Sequence, residues 1–331
     1  MNAPPYRHRQ VLDGMYKQYI KKYADFTILP TELREKLSKE LGPAVLTLKN
    51  IHEAKDGHAL KVLFETQGKN RIETVLMDFD SHKSLCVSSQ SGCALGCTFC
   101  ATGAIGFKEN LSAGELADQI LYFLQEGHTI DSVSFMGMGE PFANPHFFDA
   151  IKIITSADML NFGQRRLSVS TVGIIPGIER LSAEYPQINL AFSLHSPFQS
   201  QRLALMPITK AYPIAHVMAV LKRHIQKNNR KIFIAYVLLD GVNDSLDHAK
   251  ALVGLIKNQK EKTYLYHINV IRFNPSTSFI QYNKTSAEKV AAFRQVLADA
   301  GVNNTLRQNF GLKIDAACGQ LFGKYAARKR T

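Results

Sequence analysis

Apolar positions between residues 11 and 48 recur at helical spacing, and Leu33, Leu37 and Leu41 fall four apart behind Pro30 and Thr31, a pair suited to opening a helix. The pattern predicts a small N-terminal helical module over residues 1–55. From Leu60 the period changes to two. Alternating runs over 60–65 and 71–79, divided by the turn-forming stretch 67–70, predict a β-hairpin extension within residues 56–83. Beyond Ser84 short apolar runs alternate with helical stretches, the rhythm of parallel strands joined by helices. Strands are expected near 85–88, 132–136, 167–171, 189–194, 232–238 and 267–272. Helices should begin near Ala113, Pro145, Pro176, Pro213 and Ser245, the first opened by a capping box of Ser112 and Glu115. Six such units are too few to close an eight-stranded barrel. The periodicity leaves an open partial barrel over residues 84–310 and a doubly wound sheet both available.

With 331 residues, 45% of them hydrophobic and 21% charged, the chain can bury a large core. No run of eighteen apolar residues occurs, and the first ten residues hold charge without a hydrophobic stretch. Neither a membrane span nor a secretory signal is therefore expected, and the cytoplasm is the expected compartment. The formal net charge of +12 changes the picture more, because a summed positive field steers polyanions toward the surface. The charge is clustered. Lys222, Arg223, Lys227, Arg230 and Lys231 stand together without an intervening acid, and Lys324, Arg328, Lys329 and Arg330 crowd the C-terminal segment 311–331.

Of the 5 cysteines, Cys93, Cys97 and Cys100 sit in one loop behind an expected strand, at the spacing C-x3-C-x2-C. Three thiolates so close suit a metal site better than a disulfide framework. Structural zinc or a conventional iron–sulfur cluster would take a fourth ligand, for which His82 and Cys86 are the nearby candidates; without one, an iron of the cluster stays open. Other polar motifs end the expected strands. Gly137-Met-Gly-Glu-Pro141 follows the second, Ser168 to Thr171 ends the third, Ser193-Leu-His195 ends the fourth and Asn274-Pro275 follows the sixth. In barrel-like α/β folds the carboxyl ends of the strands carry the ligand site, so these groups should share a rim with the cysteine loop.

The cysteine spacing, with Phe99 before the last thiol, resembles the signature of the radical S-adenosylmethionine (SAM) superfamily. That resemblance implies a partial (βα)6 barrel. It also implies one [4Fe-4S] cluster on Cys93, Cys97 and Cys100, and SAM held by Gly139, Glu140, Ser170, Ser193, Leu194, His195 and Asn274. Arg71-Ile-Glu73, Leu85-Cys86-Val-Ser-Ser-Gln90, the cysteine loop, the Gly-Met-Gly-Glu-Pro turn, Ser193-Leu-His195, Phe273-Asn-Pro275 and Asp315-Ala-Ala-Cys-Gly-Gln-Leu321 occur in the order and spacing of the RlmN/Cfr family of radical SAM rRNA adenosine methyltransferases. The similarity runs from about residue 60 to 325. Arg165-Arg-Leu-Ser-Val-Ser-Thr171, Leu205-Met-Pro-Ile208 and Leu265-Tyr-His-Ile-Asn269 lie nearer the Cfr branch, whereas Pro141 stands where that branch has Ala and the RlmN branch Pro.

The family resemblance implies the chemistry as well. Two SAM molecules serve each turnover, one methylating Cys318 and one cleaved at the cluster to a radical that takes hydrogen from that methyl. The carbon radical adds to an electron-poor adenine carbon of 23S rRNA. Glu73 removes the ring proton, and Cys86 attacks the sulfur of Cys318 to release product, leaving a disulfide to be reduced. Carbon 8 is the expected position, with carbon 2 the alternative, and methylation at carbon 8 should confer resistance to ribosome-targeting antibiotics. A flavodoxin-type electron donor and a monomeric enzyme are expected.

Overall fold

The computed structural model describes residues 4–42, 44–275, 282–308, 311–314, 316 and 320–321; Cys318 and the basic segment 324–330 lie outside the described residues. The N-terminal segment folds as α1 (Pro5–Tyr16) and α2 (Thr31–Leu41), the latter opening where Pro30 and Thr31 predict. Phe26, Leu29 and Leu37 are buried between these helices and the rest of the chain. Next come β1 (Lys49–Asp56), β2 (Ala59–Glu65), β3 (Arg71–Asp78), β4 (Lys83–Val87) and β5 (Gln90–Ser91). Alternating helices and strands then follow: α3 (Ala101–Ile105), β6 (Glu109–Asn110), α4 (Ala113–Gln125), β7 (Ser132–Phe135), α5 (Phe147–Thr155), β8 (Leu167–Thr171), α6 (Ile175–Glu184) and β9 (Asn189–Ser193). The chain continues through α7 (Gln199–Leu205), α8 (Ile214–Asn228), β10 (Ile232–Leu238), α9 (Leu246–Lys257), β11 (Tyr266–Arg272), α10 (Ala287–Asp299) and β12 (Asn304–Leu306).

Ten strands form one sheet in the order β1-β2-β3-β4-β7-β8-β9-β10-β11-β12. The pairs β1–β2, β2–β3 and β3–β4 are antiparallel, and every pair from β4 to β12 is parallel. A doubly wound sheet reverses its strand order at a switch point. This order runs straight from β4 to β12, and β1 and β12 do not pair, so the sheet is an open partial barrel with an antiparallel extension. The predicted hairpin is β2–β3. Lys49–Asp56, read as part of the helical module, is instead a strand on the outer edge of that hairpin. Its sequence, KNIHEAKD, lacks an alternating apolar face because most of its positions are solvent-facing. Among the elements that escaped prediction are α10 and β12. Helix α10 has the signals in Ser286 as N-cap and Val290, Phe293 and Leu297 as a buried stripe, and it delivers β12, a seventh parallel strand.

Alternation along the parallel strands separates two faces. Val133, Val169, Leu190, Phe192, Ile234 and Tyr236 are buried beneath the helices, whereas Ser168, Ser170, Ser193, Ala235 and Val237 face the hollow of the barrel. Helix α4 fixes the N-terminal segment to this body. Its capping box is present as predicted, with Glu115 N donating to Ser112 Oγ and Ser112 N to Glu115 Oε2. Asp118 on the same helix accepts from Thr47 N and Thr47 Oγ1, both at 2.6 Å. Burial nevertheless raises its carboxyl pKa from 3.8 to about 6. A raised native pKa means that the protonated form is favoured by folding, so stability present below pH ~4 is lost as pH rises toward 6. Asp118→Asn keeps an acceptor oxygen without the charge. Its melting temperature should match or fall below wild type at pH 4 and exceed it at pH 8; equal differences at the two values would disprove this assignment.

Candidate active site

A cavity of about 260 Å³ opens at the carboxyl ends of the parallel strands. Of the predicted site residues it is lined by Cys86, Cys100, Gly139, Glu140, Ser170, Ser193 and His195. Cys93, Cys97, Glu73, Leu194 and Asn274 are not among its lining residues, and Cys318 lies outside the described residues.

The cysteine loop is shaped by its backbone. Cys93 N donates to Gly106 O at 3.2 Å, Cys100 N to Cys97 O at 3.2 Å and Thr98 N to Leu205 O at 3.0 Å. Gly92 adopts φ +72 and lies so close to Gly106 O that a Cβ would stand 1.8 Å from it, so only glycine lets the loop leave β5. Leu95, Cys97 and Phe99 pack on Leu205 and Met206, and the Phe99 ring meets His195 edge-on at 4.9 Å. Burial first, and the neighbouring thiolates next, push the Cys97 thiol well up. Cys93 is raised to about 11 by burial, with Cys100 adding to it. Thiols crowded in this way ionise only against a strong cation, which is the condition an iron cluster meets. Among the described residues no three His, Cys, Asp or Glu side chains close on a single ion. A four-iron cluster does not ask for that, since each thiolate takes a different iron. The donor set therefore fits the cluster.

The turn after β7 is held to the cysteine loop's base. Gly139, at φ +89, packs on Gln90, whose N a Cβ would approach to 2.8 Å, and Glu140 N donates to Gln90 Oε1 at 2.9 Å. The Glu140 carboxylate accepts Val172 N at 2.9 Å and Phe142 N at 3.4 Å. Burial raises its pKa to about 7 against those hydrogen bonds. Ser170 Oγ and Ser193 Oγ lie 3.2 Å apart on adjacent strands and form a hydroxyl pair on the inner face. His195 holds a left-handed conformation, φ +56, its Nδ1 accepting from Val237 N at 3.0 Å and its carbonyl accepting from Asn243 Nδ2 at 2.7 Å. Burial depresses its pKa to about 3. The ring is therefore neutral, and with Nδ1 an acceptor the proton resides on Nε2, a donor for a ligand. Leu194 is a core residue, and Asn274 is buried beyond β11.

Sequence reasoning missed the brace beneath these groups. Arg202 on α7 is fully buried, its Nη2 donating to Val172 O at 2.6 Å and Ser193 O at 3.0 Å, its Nε to Leu194 O at 3.0 Å and its Nη1 to Thr209 Oγ1 at 2.7 Å. Burial lowers its pKa to about 10, with the Cys97 thiolate acting in the opposite sense. It was masked by a polar helix turn that reads as exposed. Arg307, on the inner side beyond β12, also lines the cavity, and could not be aimed without β12. Across β3 and β4, Cys86 sits opposite Val75, and Glu73 follows two residues along β3 on the same face, fully buried. The basic run 222–231 is not at the cavity. It spans the end of α8 and the entry to β10, the opposite end of the strands; there Arg223 pairs with Glu179 and Arg230 bonds Asn189 Oδ1.

The sequence profile of the Radical SAM superfamily matches residues 87–252. Over 332 aligned residues the chain is 49% identical to "Ribosomal RNA large subunit methyltransferase Cfr" of Shouchella clausii (strain KSM-K16), covering 100% of this chain and 95% of that protein. It is 48% identical to the protein of the same name from Staphylococcus aureus, covering 98% and 93%. The fold superposes on the crystal structure of a radical SAM methyltransferase from Sphaerobacter thermophilus with a TM-score of 0.91 at 38% identity, covering 97% of this chain and 94% of that one. A straight-ordered open barrel with three cysteines on its rim is the radical SAM architecture, and the chain belongs to that superfamily and, within it, to the RlmN/Cfr family of methyltransferases. Among the described residues no helix is long and apolar enough to cross a membrane.

Proposed function

We propose that the chain transfers a methyl group to carbon 8 of an adenosine in large-subunit ribosomal RNA, with Cys318 as methyl carrier. The observation that carries this reading is the near full-length identity to proteins bearing the Cfr name, together with a cavity that faces the cysteine loop on one side and Cys86 on the other. Methylation there would confer resistance to antibiotics that bind the same ribosomal site. A carbon-2 outcome is favoured by one feature, Pro141. That residue starts a short 3-10 turn capped by Glu140 and does not line the cavity, so it gives the substrate pocket no reason to differ.

A [4Fe-4S] cluster on Cys93, Cys97 and Cys100 supplies one-electron reductive cleavage of SAM. The chain's own groups do the rest. The backbone of Gly139 and Glu140, the Ser170–Ser193 hydroxyl pair, the His195 Nε2 proton and Asn274 hold and orient SAM. Cys318 carries the methyl carbon to the base. The adduct radical gives up its unpaired electron to a one-electron acceptor as the Glu73 carboxylate accepts the ring proton, and the Cys86 thiolate attacks the Cys318 sulfur: the S–S bond forms as the S–C bond breaks, its electron pair stays with carbon, and a proton completes the methyl group. The reduced enzyme is restored by dithiol exchange. The net positive charge of +12 supplies RNA affinity through phosphate contacts, and the target base leaves its stack to enter the cavity.

Mass spectrometry of 23S rRNA fragments from cells expressing the chain tests the reading. A new methyl at adenine carbon 8 is expected; methylation at carbon 2 alone, or none on rRNA, would overturn it. Cys86→Ala should accumulate a covalent protein–RNA species, seen as a retarded band, because the carrier sulfur can no longer be displaced. Free product at the wild-type rate would exclude Cys86 as the resolving thiol.

A further inference from the structure

Strand β2 reads Ala-Leu-Lys-Val-Leu-Phe-Glu, and its lysine, Lys61, is 6% exposed in the middle of an apolar run. The antiparallel register places Lys61 opposite Val75 and Val75 opposite Cys86, so Lys61 and Cys86 share one row across three strands and one face. Glu73 is the next residue of β3 on that face. The Lys61 ammonium lies 3.1 Å from Glu73 Oε1, the two side chains being 7% and 1% exposed. Cys86 closes the row at the cavity wall.

A buried ion pair is a poor device for stability, because desolvating both charges commonly costs as much as their attraction returns, and an apolar pair of the same volume would serve the core as well. A carboxyl group alone at this depth would be driven to its neutral form. Neutral, it could not accept a proton. An ammonium fixed by the strand register favours the ionised form and orients it along the row that ends at Cys86. We infer that Lys61 is a positioning residue for methyl transfer, keeping Glu73 ionised and aimed at the base bound beside Cys86. The inference rests on the assignment of Glu73 as the proton acceptor made above. In the step it supports, the adduct radical gives up its unpaired electron to a one-electron acceptor, the class to which an oxidised iron–sulfur cluster belongs, while the ring C–H bond breaks, its electron pair stays with the ring, and the proton passes to a carboxylate oxygen of Glu73. Lys61 exchanges nothing with the substrate.

The test is a double-variant cycle on the full-length reconstituted enzyme with rRNA: wild type, Lys61→Met, Glu73→Gln and the two combined. Two quantities are read, the rate of release of methylated RNA and the fraction of Cys318 methylated, by mass of its peptide. Each single variant should slow release by on the order of 10- to 100-fold, the value of one charge-assisted contact. The combined variant should be no slower than Glu73→Gln, because the inferred role of Lys61 is exercised through that carboxylate. Cys318 methylation, which needs no base at the adenine, should be unchanged in all, a pattern that general damage to the fold does not produce. Wild-type release by Glu73→Gln would overturn the base assignment. Slow release by Glu73→Gln beside normal release by Lys61→Met, or multiplied losses in the combined variant, would overturn the role of Lys61 alone. Should Lys61→Met not fold, the combined variant, which holds neither charge, decides against Glu73→Gln: equal rates support the inference and a further loss sinks it.

Discussion

Cys318→Ala is expected to abolish methylation of RNA while the reconstituted protein keeps its iron–sulfur absorbance. The two functions separate because Cys93, Cys97 and Cys100 occupy one loop shaped by Gly92, Gly106 and the Leu205 carbonyl. The loss should be about four orders of magnitude or more, as for removal of a covalent nucleophile whose partners remain. No alternative route rescues it. An adenine amidine carbon is electron-poor and does not displace the methyl of SAM as a ring nitrogen would, and in the reaction proposed above the methyl is carried first by the Cys318 sulfur. Visible absorbance of the anaerobically reconstituted variant, beside mass spectrometry of the rRNA, separates the outcomes. Methylated adenosine at the wild-type rate would remove Cys318 from the reaction, and a colourless protein would show that the substitution had reached the cluster loop.

The parallel half of the fold was legible because its strands are buried under helices and bounded by Gly, Pro and Ser, so β4, β7, β8, β9, β10 and β11 appear as short apolar runs at regular intervals. Strand β1 was not legible for the opposite reason, since an edge strand with solvent on its face needs no apolar alternation. The site divides along a similar line. Residues proposed to act through backbone or a single polar atom at a strand end, such as Gly139, Ser170 and Ser193, follow from placing the motif on the strand. His195 illustrates the limit: its polar ring is packed against Phe99 and bonded to Val237 N, yet it also lines the cavity, and only the fold shows both. Lys61 carried a visible signal, a charge amid Leu60, Val62, Leu63 and Phe64, but its meaning depends on the register that puts it beside Glu73.

Arg202 shows how far a residue outside the cavity can govern it. Its guanidinium joins the carboxyl ends of β8 and β9 through Val172 O, Ser193 O and Leu194 O, and those strands carry Ser170, Ser193 and His195. The charge rests 5.1 Å from the centre of the Phe192 ring and has no ion-pair partner among the described residues. Arg202→Met fills the same channel but donates nothing, so the three carbonyls lose a charged donor in a buried setting. A cost of about 3–5 kcal/mol is expected, which for a chain of this size lowers the melting temperature by roughly 4–7 °C. Arg202→Lys should fall between, because an ammonium keeps the charge without the planar fork that reaches two strands at once. The loss should not be confined to stability. His195 stays in its left-handed conformation only while the chain on either side is fixed, so affinity for SAM should weaken in whatever fraction folds. Thermal unfolding and calorimetric titration with SAM read the two effects on one preparation. A melting temperature within about 2 °C of wild type would mean that the strand ends hold themselves together without Arg202, and that His195 owes its conformation to Val237 and Asn243 alone.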